Sequence, residues 1–143
     1  MALAANKNVK TAGRSIISLV VQSGVTVWAG GLYMYDKATG TVKVPADTAG
    51  FEFAGMAMDK VIGDGTKEVP LDISGRIIKK QAVTGVTALT NVGDLVYITS
   101  DDVFTITPTT NTDAIGIITR WYSGTDCDVA LFTPFESRCV PVA

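Results

Sequence analysis

One pattern occurs twice in this chain, and any fold has to accommodate both copies. Residues 31–57 read GLYMYDKATGTVKVPADTAGFEFAGMA, and residues 93–117 read GDLVYITSDDVFTITPTTNTDAIGI. Laid over one another, Leu32 meets Leu95, Tyr33 meets Val96, Met34 meets Tyr97 and Tyr35 meets Ile98. DKATG then faces TSDDV as a hairpin turn, TVKV faces FTIT, Pro45 faces Pro108 and Gly55 faces Gly116. Further on GTKEVPLDI faces GTDCDVALF, with Val69 matched to Val129 and Leu71 to Leu131. The period is about sixty residues, longer than common solenoid or propeller repeats. Neither half is long enough to bury an apolar face alone, so the two are expected to share one small barrel or two-sheet sandwich. The matched glycines lie inside strands, where glycine marks a bulge or a close backbone approach. They predict a shared bend that closes the sheet.

The rest of the chain has the same texture. SIISLVVQ, VTVW, EVPLDIS, RIIK and DVALF are short and rich in Val, Ile and Leu, and are separated by Gly, Asp, Asn and Pro. Many short strands between such breaks read as an all-β fold. Only residues 46–50 or 86–91 have room for a helical turn. Residues 1–14, MALAANKNVKTAGR, carry no core-forming period and read as an N-terminal arm that orders against a partner. The β-rich domain spans 15–132, and residues 133–143 form a C-terminal tail.

Composition narrows the function. With 143 residues there is one domain with a real core. Apolar residues are 47% and charged residues 18%, an excess that implies surface buried in an oligomer. The net charge is −2 with no basic block, which disfavours nucleic acid as a partner. No run approaches the roughly 18 apolar residues that would span a bilayer, so no membrane partner is expected. Lys7, Lys10 and Arg14 precede SIISLVV in the manner of a signal peptide, but that β-branched run continues into VTVW and reads as a strand. A cleaved signal is the alternative. Cys127 and Cys139 are the only cysteines and fit no metal motif. They read as two reduced thiols, with a bond between them or between subunits as the other possibility.

Chemistry is hard to find. The sequence has no histidine, which removes Ser–His and Cys–His nucleophiles, the commonest general base and the commonest zinc ligand. The acids Asp101, Asp102, Asp126 and Asp128 read as turn and strand-edge charges, without calcium-loop spacing. Carboxylate-only catalysis finds no distinct pair among them. No phosphate loop or dinucleotide fingerprint occurs. No catalytic residue, cofactor or metal is therefore assigned. Lys79 and Lys80, beside Arg76, read either as a solvated strand edge or as a small electropositive contact for an acidic partner. Trp28, Tyr33, Tyr35, Trp121 and Tyr122 read as sheet packing, while Arg120, Trp121 and Tyr122 together are of the residue types enriched in binding hot spots.

The ordered elements carry a resemblance. An opening strand is followed by GLYMY, FAGMAMD, EVPLDISG, NVGDLVYI, AIGIITRW and GTDCDVALF. This resembles the capsid cement, or head decoration, proteins of tailed bacteriophages, in which a GD-x-V-Y strand, an x-x-G-x-x strand and a closing D-x-x-V-x-L strand recur in the same order. The likeness covers residues 15–132. It implies a small β-barrel-like domain, commonly a trimer, assembled in the host cytoplasm and bound to the major capsid protein on the outer surface of the mature head. That family is structural, so no catalytic residue carries over. The arm is longer than the family pattern, and residues 133–143 extend past its last strand. The expected capsid or subunit contacts are Lys7, Lys10 and Arg14 in the arm, and Arg120, Trp121 and Tyr122 on the domain. A second reading, from the aromatics Trp28, Tyr33, Trp121 and Tyr122, is a carbohydrate- or cell-surface-binding β module of a phage tail or fibre.

Overall fold

A computed structural model of the chain describes residues 15–100 and 103–134. It is all-β, as the sequence predicts. The first half contributes β1 (Ile16–Val20), β2 (Thr26–Val27), β3 (Leu32–Asp36), β4 (Val42–Lys43), β5 (Phe51–Ala57), β6 (Val61–Ile62) and β7 (Glu68–Asp72). The second contributes β8 (Ile77–Thr84), β9 (Leu95–Ser100), β10 (Val103–Thr105), β11 (Gly116–Ser123) and β12 (Asp126–Leu131). A 3-10 turn at Leu89–Asn91 lies between β8 and β9, within one of the two stretches expected to allow a helical turn; residues 46–50 form none.

The repeat is a repeat of topology. The first half forms a sheet in the order β1-β7-β5-β3-β4, and the second a closed barrel in the order β10-β8-β12-β11-β9. Thus β8, β12, β11, β9 and β10 take the places of β1, β7, β5, β3 and β4. Every corresponding pair runs in the same relative direction. Parallel pairing of Phe104 with Val83 and Thr105 with Thr84 closes the barrel of the second half. At the equivalent place the first half, a sheet and not a closed barrel, has a single parallel bridge, Val21 to Val42.

Register agrees with the sequence alignment in one place and corrects it in two. Gly55 faces Tyr33 and Gly116 faces Val96, so the two glycines are equivalent, as expected. Val42 faces Tyr35 while Phe104 faces Ile98, which matches Val42 to Phe104 and moves TVKV one residue against FTIT. A bulge between Val103 and Phe104 absorbs the difference. Leu71 faces Ala57 and Val129 faces Ile118, so Leu71 corresponds to Val129 and not to Leu131. The connections differ here: the first half makes an excursion through β6 where the second has a tight turn. Sequence matching has no means of locating such a gap.

Alternation places side chains on both faces of the first sheet. Tyr33, Val42, Val69 and Leu71 fill a core inside the first half. Leu32, Met34 and Phe53 point the other way and join Val96, Ile98, Ile118 and Val129 in a core shared with the barrel. Polar loops tie the halves further. Asp47 accepts the N–H groups of Thr110 (2.9 Å) and Asn111 (2.6 Å), and the Thr109 hydroxyl. In return, Asn111 Nδ2 donates to the carbonyls of Thr48 (3.0 Å) and Phe51 (2.9 Å), and Asp113 Oδ2 accepts the Phe53 N–H (2.6 Å).

Candidate functional site

The first half pairs β1 with β7 without interruption, from Ile16–Asp72 to Val20–Glu68. The equivalent β8–β12 ladder is broken: Val129 faces Ile78 and Cys127 faces Gln81, so Lys79 and Lys80 together stand opposite one residue, Asp128. Lys80 takes φ +51, the left-handed conformation that side chains other than glycine rarely adopt. This is why the apolar run RIIK reads as a strand ending at Lys79. The strand continues through the bulge to Thr84.

Asp128 holds the bulge in place. Its Oδ1 accepts the backbone N–H of Lys80 (3.0 Å), and its Oδ2 accepts the Lys79 ammonium (3.2 Å) and the Tyr122 hydroxyl (2.9 Å). Only 2% of Asp128 is exposed, so it is not the strand-edge charge expected from sequence. Burial acts against its charge more strongly than any one partner does. The Lys80 N–H, the Tyr122 hydroxyl and Lys79 together outweigh burial and hold the carboxyl below its ordinary value.

Above Asp128 lies an aromatic ring between two cations. Arg120 Cζ is 4.7 Å from the Tyr122 ring centroid, and Lys80 Nζ is 5.4 Å from it. Arg120 and Tyr122 are two apart on β11, and the guanidinium over the ring places them on one face, although the β11–β12 register shifts on either side of them. Among the described residues neither Lys80 nor Arg120 has an ion-pair partner. Trp121 points inward instead. It packs against the shared core, and its Nε1–H donates to the Gly124 carbonyl (3.0 Å), which ties down the β11–β12 turn. Of the triplet Arg120, Trp121 and Tyr122, the outer two are therefore surface groups and the middle one is packing.

The structure thus unites two features that lie far apart in the sequence, the Lys79–Lys80 pair and the Arg120–Tyr122 segment. It separates Arg76 from them, because Arg76 Nε is held by Asp72 at 2.5 Å. Sequence reasoning missed Asp128 as the organiser. The available signals were two lysines interrupting an apolar alternation and an acid flanked by Cys127 and Val129. Lys7, Lys10 and Arg14 lie outside the described residues, as do Asp101, Asp102 and Cys139. Cys127 is buried and carries a free thiol. Among the described residues no cluster of three or more His, Cys, Asp or Glu gathers in a metal-binding arrangement.

The other aromatics divide by environment. Tyr33 is buried, and its hydroxyl accepts the Trp28 N–H at 2.8 Å. Trp28 itself is 55% exposed, with Lys60 Nζ 4.3 Å from its ring centroid. Lys60 also lines an open groove of about 480 Å³ with Val61, Ile62, Lys67 and Glu68.

Compared with known proteins, the chain matches no family model and no curated sequence.

Proposed function

We propose that this chain is a structural virion protein of the capsid cement class. On this reading it forms a trimer on the outer surface of a mature tailed-phage head, binds the major capsid protein and stabilises the shell against the outward pressure of the packaged genome. The observation that carries the reading is the ordered, doubled β pattern: two units of one topology in one chain, in the motif order that resembles the cement family. The Lys80–Tyr122–Arg120 face offers a contact surface in which Tyr122 and Arg120 are of the residue types that anchor interfaces. An oligomer that bridges several shell subunits gains avidity from modest individual contacts, which is the physical basis of cementing.

The test is co-sedimentation of the purified protein with expanded heads lacking decoration, with unexpanded proheads as control. The expected result is saturable binding to expanded heads only. No binding to either particle overturns the proposal.

A second reading is favoured by Trp28. Its half-open indole beside Lys60 and the groove next to β6 are features that a saccharide-binding surface uses. On this reading the chain is a cell-surface-binding β module of a tail or fibre. Binding to bacterial surface polysaccharide that is lost in Trp28→Ala, with no binding to heads, would select it.

A further inference from the structure

The internal repeat provides a comparison of one strand edge in two states. In the first half β3 and β5 pair with Leu32 opposite Met56, and β2 and β6 continue the same ladder in the same register, with Val27 opposite Val61 and Thr26 opposite Ile62. The Gly31 and Ala57 backbones and the Gly30 N–H extend the pairing to Ala57, so the outgoing chain has a strand beside it up to Ala57 and again at Val61–Ile62.

In the second half the corresponding ladder stops early. Leu95 faces Ile117, Ile118 N–H donates to Asp94 O (3.0 Å), and Gly93 N–H donates to Ile118 O (2.8 Å). The residues that this register would carry alongside 121–123 are Leu89–Asn91, and these are wound into the 3-10 turn. Asn91 holds them there: its Oδ1 accepts the N–H groups of Thr87 (3.0 Å) and Ala88 (3.1 Å). Residues 119–123 of β11 therefore have β12 on one side and, among the described residues, no strand on the other; the 3-10 turn, which forms no ladder, packs against β11 instead. An edge that no strand pairs leaves backbone donors and acceptors for an incoming chain.

The chemistry around the edge selects the incoming chain. Arg120 and Lys80 flank Tyr122 on the outer face, and neither is neutralised by a carboxylate among the described residues. The neighbouring turn exposes Leu89 (67%) and Val92 (41%), so apolar contact is available beside the cations. We propose that residues 119–123 are a docking edge for an extended acidic segment of a partner protein. The segment adds antiparallel to β11, as β2 does to β6, and places carboxylates on Arg120 and Lys80. Main-chain pairing supplies affinity and the cation–carboxylate contacts supply specificity. This follows from the barrel geometry and does not depend on the capsid reading.

The test uses the full chain labelled with 15N and a blocked synthetic decapeptide that alternates Glu with Val and Thr. Three control probes accompany it: the same peptide with Lys for Glu, the acidic peptide N-methylated on alternate residues along one edge, and its partner N-methylated along the other. The acidic peptide is expected to slow amide exchange within residues 119–123, and the Lys peptide is expected not to bind. At least one N-methylated probe is expected to lose binding while keeping every charge. Lys80→Glu with Arg120→Glu is expected to weaken the acidic peptide by about tenfold or more, with circular dichroism and melting checked against the parent. Absence of binding, binding without protection at 119–123, or retention by both N-methylated probes overturns the proposal. The N-methylated arms need no protein variant, so the test remains decisive even if charge reversal disturbs folding.

Discussion

Gly116 lies against the carbonyl of Ala130 so closely that a Cβ built on it would come within 2.6 Å of that oxygen. Gly55 stands in the same relation to Asp72 in the other half, at 2.9 Å. The two contacts occupy equivalent places in the two ladders, since Met56 faces Asp72 and Ile117 faces Ala130. The matched glycines of the sequence are therefore two copies of one close approach, where the sheet turns to close.

Gly116→Ala is expected to destabilise the protein by about 1–3 kcal/mol, because the backbone carbonyl it meets has no flexible end that can move aside. Gly55→Ala is expected to cost at least as much, since Gly55 also holds φ +133. Denaturant unfolding followed by tryptophan fluorescence measures both. Unchanged midpoints would mean that the strands relax without penalty.

Asn111→Ala removes two donations from the second half to carbonyls of the first, at Thr48 and Phe51. Leaving those groups unpaired is expected to cost about 1–3 kcal/mol. Hydrogen exchange is expected to rise first at the amides of residues 109–113 and at Phe53, which face one another across the halves. A variant as stable as the parent would show that the two Asn111 donations add nothing to the joint that the Asp47 and Asp113 contacts and the apolar core already make.

Acid is expected to weaken the fold. Asp64 is lowered from 3.8 to about 2 by the N–H groups of Lys67 and Thr66 and by the Thr66 hydroxyl. Asp72 is lowered from 3.8 to about 2 by the Ser74 hydroxyl, the Ser74 N–H and Arg76. A carboxyl that is more acidic folded than unfolded favours the folded state above the unfolded value, and that contribution is lost as pH falls through the folded value. Stability should be level near neutrality and fall between about pH 4 and pH 2. Asp64→Asn and Asp72→Asn should each flatten the fall in thermal melts across that range.

Cys127 is fully buried, and burial, with the charges of Asp128 and Asp126, pushes its thiol above the ordinary value. In a Cys139→Ser background, thiol-reactive disulfide reagent is expected to label Cys127 only at the rate of opening. Rapid labelling of the native protein would contradict this packing.

The capsid proposal has its own residue-level expectation. Lys80→Glu with Arg120→Glu should lower affinity for expanded heads while preserving the melting curve. Trp121→Ala should lower stability, on the order of 1–3 kcal/mol, because its ring packs on the core and its Nε1–H closes the turn. Equal loss of head binding in both, without loss of stability in the second, would contradict the outward and inward assignments.

Much of the fold was legible in the sequence. The alternation of Leu32 to Tyr35 and Leu95 to Ile98 marks strands, and the paired glycines mark where they approach their neighbours. The registers of β10 and β12 were not legible. A bulge at Val103–Phe104 and a longer first-half connection each shift the pattern by a residue or two, and a strand reads much the same after such a shift. The site was legible only in pieces. Lys79–Lys80 and Arg120–Tyr122 were visible as residue types, but the bulge that turns Lys80 toward Tyr122 depends on Asp128, which lies on a third strand.

What the sequence alone determined is therefore local: strand content, the two-fold repetition, and the glycines demanded by close backbone contact. Each of these follows from side-chain shape and spacing along a few consecutive residues. Tertiary structure decided the rest. Closure of the barrel in the second half, the edge of β11 that no strand pairs, and the burial of Asp128 among Lys79, Lys80 and Tyr122 all depend on which strands become neighbours. That choice reflects burial of side chains from many strands in one core, Leu32, Met34 and Phe53 together with Val83, Ile98, Ile118 and Val129 among them, a collective free energy that no single segment encodes.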